Sequence, residues 1–233
     1  CGKTTLKELL GTSLKKIFKV SISPKSYNNK YGVPLSLLNL NSNDDYGILE
    51  VGMDKKGEID YLTNIVKPNI SVITNINYAH AKNFKNIKQI ALAKAEIMNN
   101  TNQGGFIILN ADDNFYKLHK KISDKKKLKI ISFGIKNKKS DIKLLNIKRK
   151  KNYFRITIKS KNLKKSFLIS NNFESSLYNI LAAIAVMSAN LNILNLDNRI
   201  FSNFKIPEGR GDSSRIKIKN KNINLIDESY NSN

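Results

Sequence analysis

The chain has 233 residues, enough to bury a full-sized core as one large domain, and carries 41 Lys and Arg against 18 Asp and Glu, for a formal net charge of +23. A single cysteine excludes an internal disulfide framework and fits a reducing compartment, and no apolar run approaches the roughly 20 residues that span a bilayer. The basic residues are scattered, densest from Lys120 to Lys165, and no compact segment interleaves aromatics with arginines, so no specific nucleic-acid platform is indicated.

In chain order, Gly2-Lys3-Thr4-Thr5 reads as the end of a phosphate-binding loop. Such a loop cradles phosphates with backbone N–H groups, sends its lysine to the β/γ-phosphates and its next hydroxyl to Mg²⁺. The start at Cys1, inside the motif, predicts a fragment truncated at its N-terminus. Leu6, Leu9, Leu10, Leu14 and Ile17 follow at helical spacing, as expected of a helix that receives phosphate at its N-terminus. Apolar runs at Gly47–Val51, Ile70–Ile76, Phe106–Leu109 and Ile130–Phe133 read as strands, separated by helices near 57–66, 86–99 and 112–122. Near-continuous Ile/Val/Leu strands joined by helices predict an α/β fold with a mostly parallel sheet covered on both faces. Around 140–170 the period changes: Phe154, Ile156 and Ile158 alternate with Arg155, Thr157 and Lys159, which predicts a small antiparallel subsheet. An alanine-rich helix at about 174–190, a short helix near 197–203 and strands near 214–219 and 222–226 complete the series.

Ligands of open α/β sheets bind beyond the carboxyl ends of the strands. Four polar groups fall there: Glu50, His80, Asn110-Ala111-Asp112-Asp113 and Asp227. Each alone reads equally as a turn former or helix cap; together, beside a phosphate loop, they predict one site. Lys94 interrupts a stripe formed by Ile87, Ile90, Ala91, Ile97 and Met98. It reads either as a packed stem with its ammonium in water or as a cation, or a carbamylated lysine with two hard oxygens for Mg²⁺, delivered under that helix. Arg210, in Pro207-Glu208-Gly209-Arg210-Gly211, can clamp phosphate through its fork or serve as a plain loop arginine. His119 sits in an ordinary helical context.

These residues resemble the central ATPase domain of the Mur ligases. The likeness runs through Gly2-Lys3-Thr4-Thr5, the segment Asn28 to Leu35, Leu49 to Met53, Gly57-Glu58-Ile59, the Asn75–His80 stretch, Ala93 to Ile97, Asn110 to Asp113, Gly209-Arg210-Gly211 and Asp227 to Asn233. Asn-Asn-x-x-Gly-Val-Pro-Leu and the closing Asp-x-Ser-Tyr-Asn-x-Asn point to the branch that joins D-alanyl-D-alanine to a UDP-N-acetylmuramoyl-tripeptide through an acyl phosphate. The resemblance implies ATP with two Mg²⁺ as cofactors: Gly2, Lys3, Thr4 and Thr5 on the phosphates, Thr4 and Glu50 on one Mg²⁺, and His80 with an N6-carboxylated Lys94 on a second metal. It further places Asn179 on adenine, Asp227 on the ribose, Arg210 on the phosphates, and Asn28 and Asn29 toward the muramyl peptide. Lys3, Lys94 and His80 would thus carry the chemistry. One departure stands at Ser175-Ser176-Leu177-Tyr178-Asn179, where the family has His-Asn-x-x-Asn. The resemblance also implies a cytoplasmic monomer that acts on small molecules in peptidoglycan precursor synthesis, with UDP-binding and amine-binding domains lying outside this chain. The meso-diaminopimelate-adding ligases and folylpolyglutamate synthase are the alternatives within the superfamily, and a basic nucleic-acid-binding ATPase is the alternative outside it.

Overall fold

The computed structural model describes residues 2–78, 83–151, 153–170, 176–202, 204–210, 212–218, 221–227 and 229–231. Helix α1 (Lys3–Leu14) starts directly from Gly2 and buries Leu6, Leu9, Leu10 and Leu14. It lies tight on β1 (Val20–Ile22), because a Cβ at Gly11 would meet Ile22 Cδ1 at 2.0 Å. Next come α2 (Gly32–Leu38), β2 (Tyr46–Ile48), α3 (Glu58–Val66), β3 (Ile70–Ile73) and α4 (Ile87–Ala95), the last running into a 3₁₀ turn at Glu96–Asn99. Asn86 caps α4, its Oδ1 accepting from Gln89 N at 3.0 Å. The chain continues through β4 (Phe106–Asn110), α5 (Tyr116–Lys125), β5 (Lys129–Gly134), β6 (Ile142–Arg149), β7 (Tyr153–Ser160), β8 (Leu163–Ser170), α6 (Leu177–Ser188), β9 (Asp212–Ile218) and β10 (Lys221–Asp227).

Strands β3 to β8 form one six-stranded sheet in chain order. The pairs from β3 to β6 are parallel, and β6–β7–β8 is antiparallel. The antiparallel part expected at 140–170 is therefore an extension of the main sheet, joined where Phe133 stands opposite Ile142. β1 and β2 pair in parallel as a separate ribbon, and β9–β10 is an antiparallel hairpin. Period-two alternation divides the core. Ile108 of β4 faces α1 and α6 with Phe133, Ile156, Phe167 and Ile180, whereas Ile107 and Leu109 face α4 with Ile90, Met98 and Ile59. β2 and β3 are not hydrogen-bonded to each other; between them lies a cleft of about 500 Å³ lined by Leu6, Leu10, Leu14, Ile48, Val72 and Met187.

Four expectations need correction. Among the described residues no helix forms at 197–202; Asp197 Oδ1 accepts from Arg199 N at 2.8 Å, turning the chain, while Ile200, Phe201 and Phe204 drop into the core after a 3₁₀ turn at Ile193–Asn195. α5 starts at Tyr116 rather than 112, because Asp113 Oδ1 takes the N–H of Phe115 at 2.8 Å and makes the preceding residues a turn. β2 and β3 stop at Ile48 and Ile73: β2 ends level with its partner β1, whereas β4 runs one residue past Ile73's partner Leu109, to Asn110. β1 and α2 were not foreseen. Among the described residues no helix is long and apolar enough to cross a membrane.

Candidate functional site

The start of α1 is the centre of the site. Gly2 takes φ +79, a conformation natural to glycine, and a Cβ there would meet Asn179 Oδ1 at 2.7 Å. The backbone before the helix thus abuts the first turn of α6. Two residues on, the Thr4 hydroxyl donates to Glu50 Oε2 at 2.5 Å, and the Asn28 amide donates to Oε1 of the same carboxylate at 2.8 Å. Thr4 and Glu50 are buried, at 4% and 5% exposure. A buried carboxylate without a full set of partners is costly, and here a hydroxyl and an amide share the work. Both donors are neutral, and the carboxylate lies beside the positive end of a helix. The donor set of hard oxygens on Thr4 and Glu50 suits Mg²⁺. Among the described residues no three His, Cys, Asp or Glu side chains gather to hold a metal alone, so any Mg²⁺ would depend on phosphate oxygens as well.

Lys94 approaches from the other side. Its Nζ donates to Asn75 O at 2.8 Å, just past β3. Burial, reinforced by the nearby charge of Lys3 and opposed by Asp113, lowers its pKa to about 8. The Lys94 ammonium is thus half-buried and held on a backbone carbonyl. Asp113 also accepts the N–H of Ile76 at 2.8 Å, so one carboxylate fixes the segment after β3 and the start of α5. His119 is buried at 2% exposure and its Nε2 lies 3.0 Å from Ala91 O, which ties α5 to α4; burial lowers its pKa, against the pull of the Ala91 carbonyl and Asp113. It is therefore no ordinary surface histidine.

Asp112 has a structural occupation. It accepts from the N–H groups of Ile135, Lys136 and Asn137 and from the Tyr178 hydroxyl at 3.1 Å. Burial would raise its pKa, but these donors outweigh burial and hold it low. Burial and the Asp112 charge in turn push Tyr178 up to about 12. Asn29 caps a turn, its Oδ1 accepting from Tyr31 N and Gly32 N. Glu96 accepts from the N–H of Gly57 at 2.9 Å, at the N-terminus of α3.

The third group lies at the end of the chain. The Arg210 guanidinium stacks over the Tyr230 ring at 3.9 Å and donates to Ser26 Oγ at 3.0 Å, and the Tyr230 hydroxyl donates to the same Oγ at 2.8 Å. The Ser229 side chain, and after it the Ser229 N–H that Asp227 accepts, lower the Asp227 pKa. Ser26 lies two residues before Asn28, so this cluster adjoins the Glu50 carboxylate through one loop. His80 falls outside the described residues, as do Gly211 and Glu228 of the recognised motifs.

Three participants were not foreseen: Ser26, the Asn75 carbonyl and Lys7. Lys7 shares a helical stripe with Leu10, Gly11 and Leu14, the same sign that marked Lys94. Its Nζ is buried under the loop after β1, donating to Ser23 O and to Lys25 O.

Residues 1–187 match the model of the Mur ligase middle domain. The chain is 38% identical over 139 residues to UDP-N-acetylmuramoyl-tripeptide--D-alanyl-D-alanine ligase of Buchnera aphidicola subsp. Acyrthosiphon pisum, a match covering 60% of this chain and 30% of that protein. A crystal structure of MurF from Acinetobacter baumannii superposes with TM-score 0.87 at 27% identity, over 100% of this chain and 49% of that one. MurF ligase from Thermotoga maritima in complex with ADP gives TM-score 0.77 at 25% identity, over 91% and 48%. The chain spans no more than about half the length of these relatives. With α1 opening at Gly2-Lys3-Thr4, a buried hydroxyl–carboxylate pair and a parallel sheet extended by the antiparallel pairing of β7 and β8, all inside one matched stretch, the chain belongs to the Mur ligase family.

Proposed function

We propose that the chain is the ATP-binding part of a ligase that joins D-alanyl-D-alanine to UDP-N-acetylmuramoyl-tripeptide, a step of peptidoglycan precursor synthesis carried out by a monomer in the cytoplasm. The observation that carries this reading is the buried Thr4–Glu50–Asn28 arrangement at the head of α1. The named relatives support it through their substrates, and the ADP complex of the Thermotoga maritima enzyme supports a nucleotide here. Lys3 and the N–H groups of Gly2, Thr4 and Thr5 hold phosphate; Thr4 and Glu50 hold one Mg²⁺, and Lys94, carboxylated on Nζ, holds a second with His80. Bound there, such ions would supply charge neutralisation on the phosphate oxygens. Asn179, placed against Gly2, borders the nucleotide; Asp227 and Arg210 serve its ribose and phosphates. Asn28, by occupying Glu50 Oε1, orients that carboxylate, with Asn29 shaping the loop on the muramyl-peptide side.

The substrate carboxylate attacks the γ-phosphoryl group, ADP leaves, and an acyl phosphate forms. The amine of D-alanyl-D-alanine then displaces phosphate and loses a proton to give the amide. Protein catalysis here is positioning and electrostatics, since no side chain is a nucleophile. UDP-binding and amine-binding domains outside this segment complete the enzyme, so the 233-residue chain alone binds nucleotide weakly and does not turn over.

The test is phosphate release and product formation by the full-length protein with the muramyl tripeptide, ATP and D-alanyl-D-alanine. Lys3→Ala and Lys94→Ala should each lower kcat at least about 100-fold; unchanged ligation in both would refute the assigned roles. Turnover that ignores D-alanyl-D-alanine but requires meso-diaminopimelate or glutamate would transfer the chain to another branch.

A further inference from the structure

Lys7 is 3% exposed, yet it lies on a helix whose other buried positions are mainly apolar or small. Burying an ammonium is expensive unless it is fully engaged. Lys7 donates to Ser23 O and to Lys25 O, each at 2.5 Å, and pairs with the Glu8 carboxylate at 3.0 Å. Both acceptors are carbonyls of a single loop. That loop is strained, because Lys25 takes φ +44, a left-handed conformation in which a side chain crowds its own backbone. Such a turn persists only where its surroundings over-determine it. One residue further on, Ser26 Oγ receives both the Arg210 guanidinium and the Tyr230 hydroxyl.

We infer that Lys7 is a positioning residue that sets the place of Arg210, acting through the strained 23–26 turn and Ser26. α1 thereby presents phosphate-binding groups at its head while its flank aims a cation supplied from the far end of the sequence. This assignment rests on the proposed reading of Arg210 as a phosphate contact. A tether that merely stabilised the loop would change stability without singling out Arg210.

The experiment is a double-mutant cycle on kcat/KM for ATP in the full-length ligase, with Lys7→Met and Arg210→Ala, and with Lys7→Arg as the conservative partner. Lys7→Met should raise KM for ATP about tenfold while kcat changes no more than about threefold. In the Arg210→Ala background the same substitution should cost less than about twofold, because its target is gone. Lys7→Arg, which keeps donors for both carbonyls, should recover most of the lost affinity. If Lys7→Met does not fold, Ser26→Ala replaces it in the cycle with the same expected loss of additivity. Multiplying losses, or an unchanged KM in both Lys7→Met and Ser26→Ala, would overturn the positioning role. Loss of ligation in Lys3→Ala together with additive Lys7 effects would sink this inference alone; retained ligation in Lys3→Ala would sink the functional reading beneath it.

Discussion

Lys94 shows how one side chain can be prepared by its surroundings. With a folded pKa of about 8 against an ordinary 10.5, about half of its amines are neutral at pH 8, where an ordinary lysine has well under about one per cent. Carboxylation by CO₂ requires that neutral form. The linkage sign follows: between pH 8 and 10.5 the unfolded chain binds more protons than the folded one, so stability rises with pH across that window. Below pH 8 both states are protonated and the burial cost stays in full, at most about 3 kcal/mol. Urea unfolding of the wild-type chain should therefore gain on Lys94→Met as pH increases from 7.5 to 10; parallel curves would show that Nζ is not held as described. The stripe around Lys94 was legible because a lysine among Ile90, Ala91 and Met98 breaks a pattern. Its acceptor was not, since Asn75 offers a backbone carbonyl, and carbonyls carry no sequence label. Lys7 carried the same mark on α1 and was passed over, because the surrounding leucines already explained the helix.

At the scale of elements, the Asp112 turn joins the ends of β4 and β5 to α6 through three N–H groups and one phenol. Asp112→Asn keeps the shape but loses the charge and one acceptor oxygen. It should destabilise the chain by roughly 2–3 kcal/mol, the scale of a charged hydrogen bond left incomplete, as read by the denaturant midpoint at pH 7. Because the carboxyl pKa is held low, its contribution is present above the ordinary aspartate range and fades as pH falls through the folded value. The wild-type and Asn curves should therefore converge in acid. Long periodic elements such as α1, β4, β5 and α6 could be read from side-chain pattern, since burial of one face writes itself into the sequence. α2 could not: Gly32 and Pro34 look like breakers, although a proline in the first turn of a helix lacks only an N–H that needs no partner there. β1, three residues long, is shorter than any pattern.

For the whole molecule, the main sheet and the β1–β2 ribbon are held in register by helices and not by each other. α1 packs on both β1 and α6, and α6 packs on β3, β4 and β5, so the two parts share a floor without sharing a ladder. The likeness of whole-chain architecture to MurF structures was foreseeable from motif order, because Gly2-Lys3-Thr4-Thr5, Glu50, Lys94 and Arg210 follow one another along the chain in that order. The cleft was not, since nothing in Tyr46–Ile48 or Ile70–Ile73 says which strand stands beside it.

That cleft has a mechanical meaning. Every second amide of β3 points away from β4, on a side where no strand among the described residues pairs with it. Deuterium should enter those alternate amides, and the outward ones of β2, orders of magnitude sooner than the matching positions of β4, which is clasped on both sides. Uniform protection of all three strands would refute this. If the pattern holds, the weakest seam in the molecule runs through its middle, alongside the helix that would grip the nucleotide, rather than around its rim.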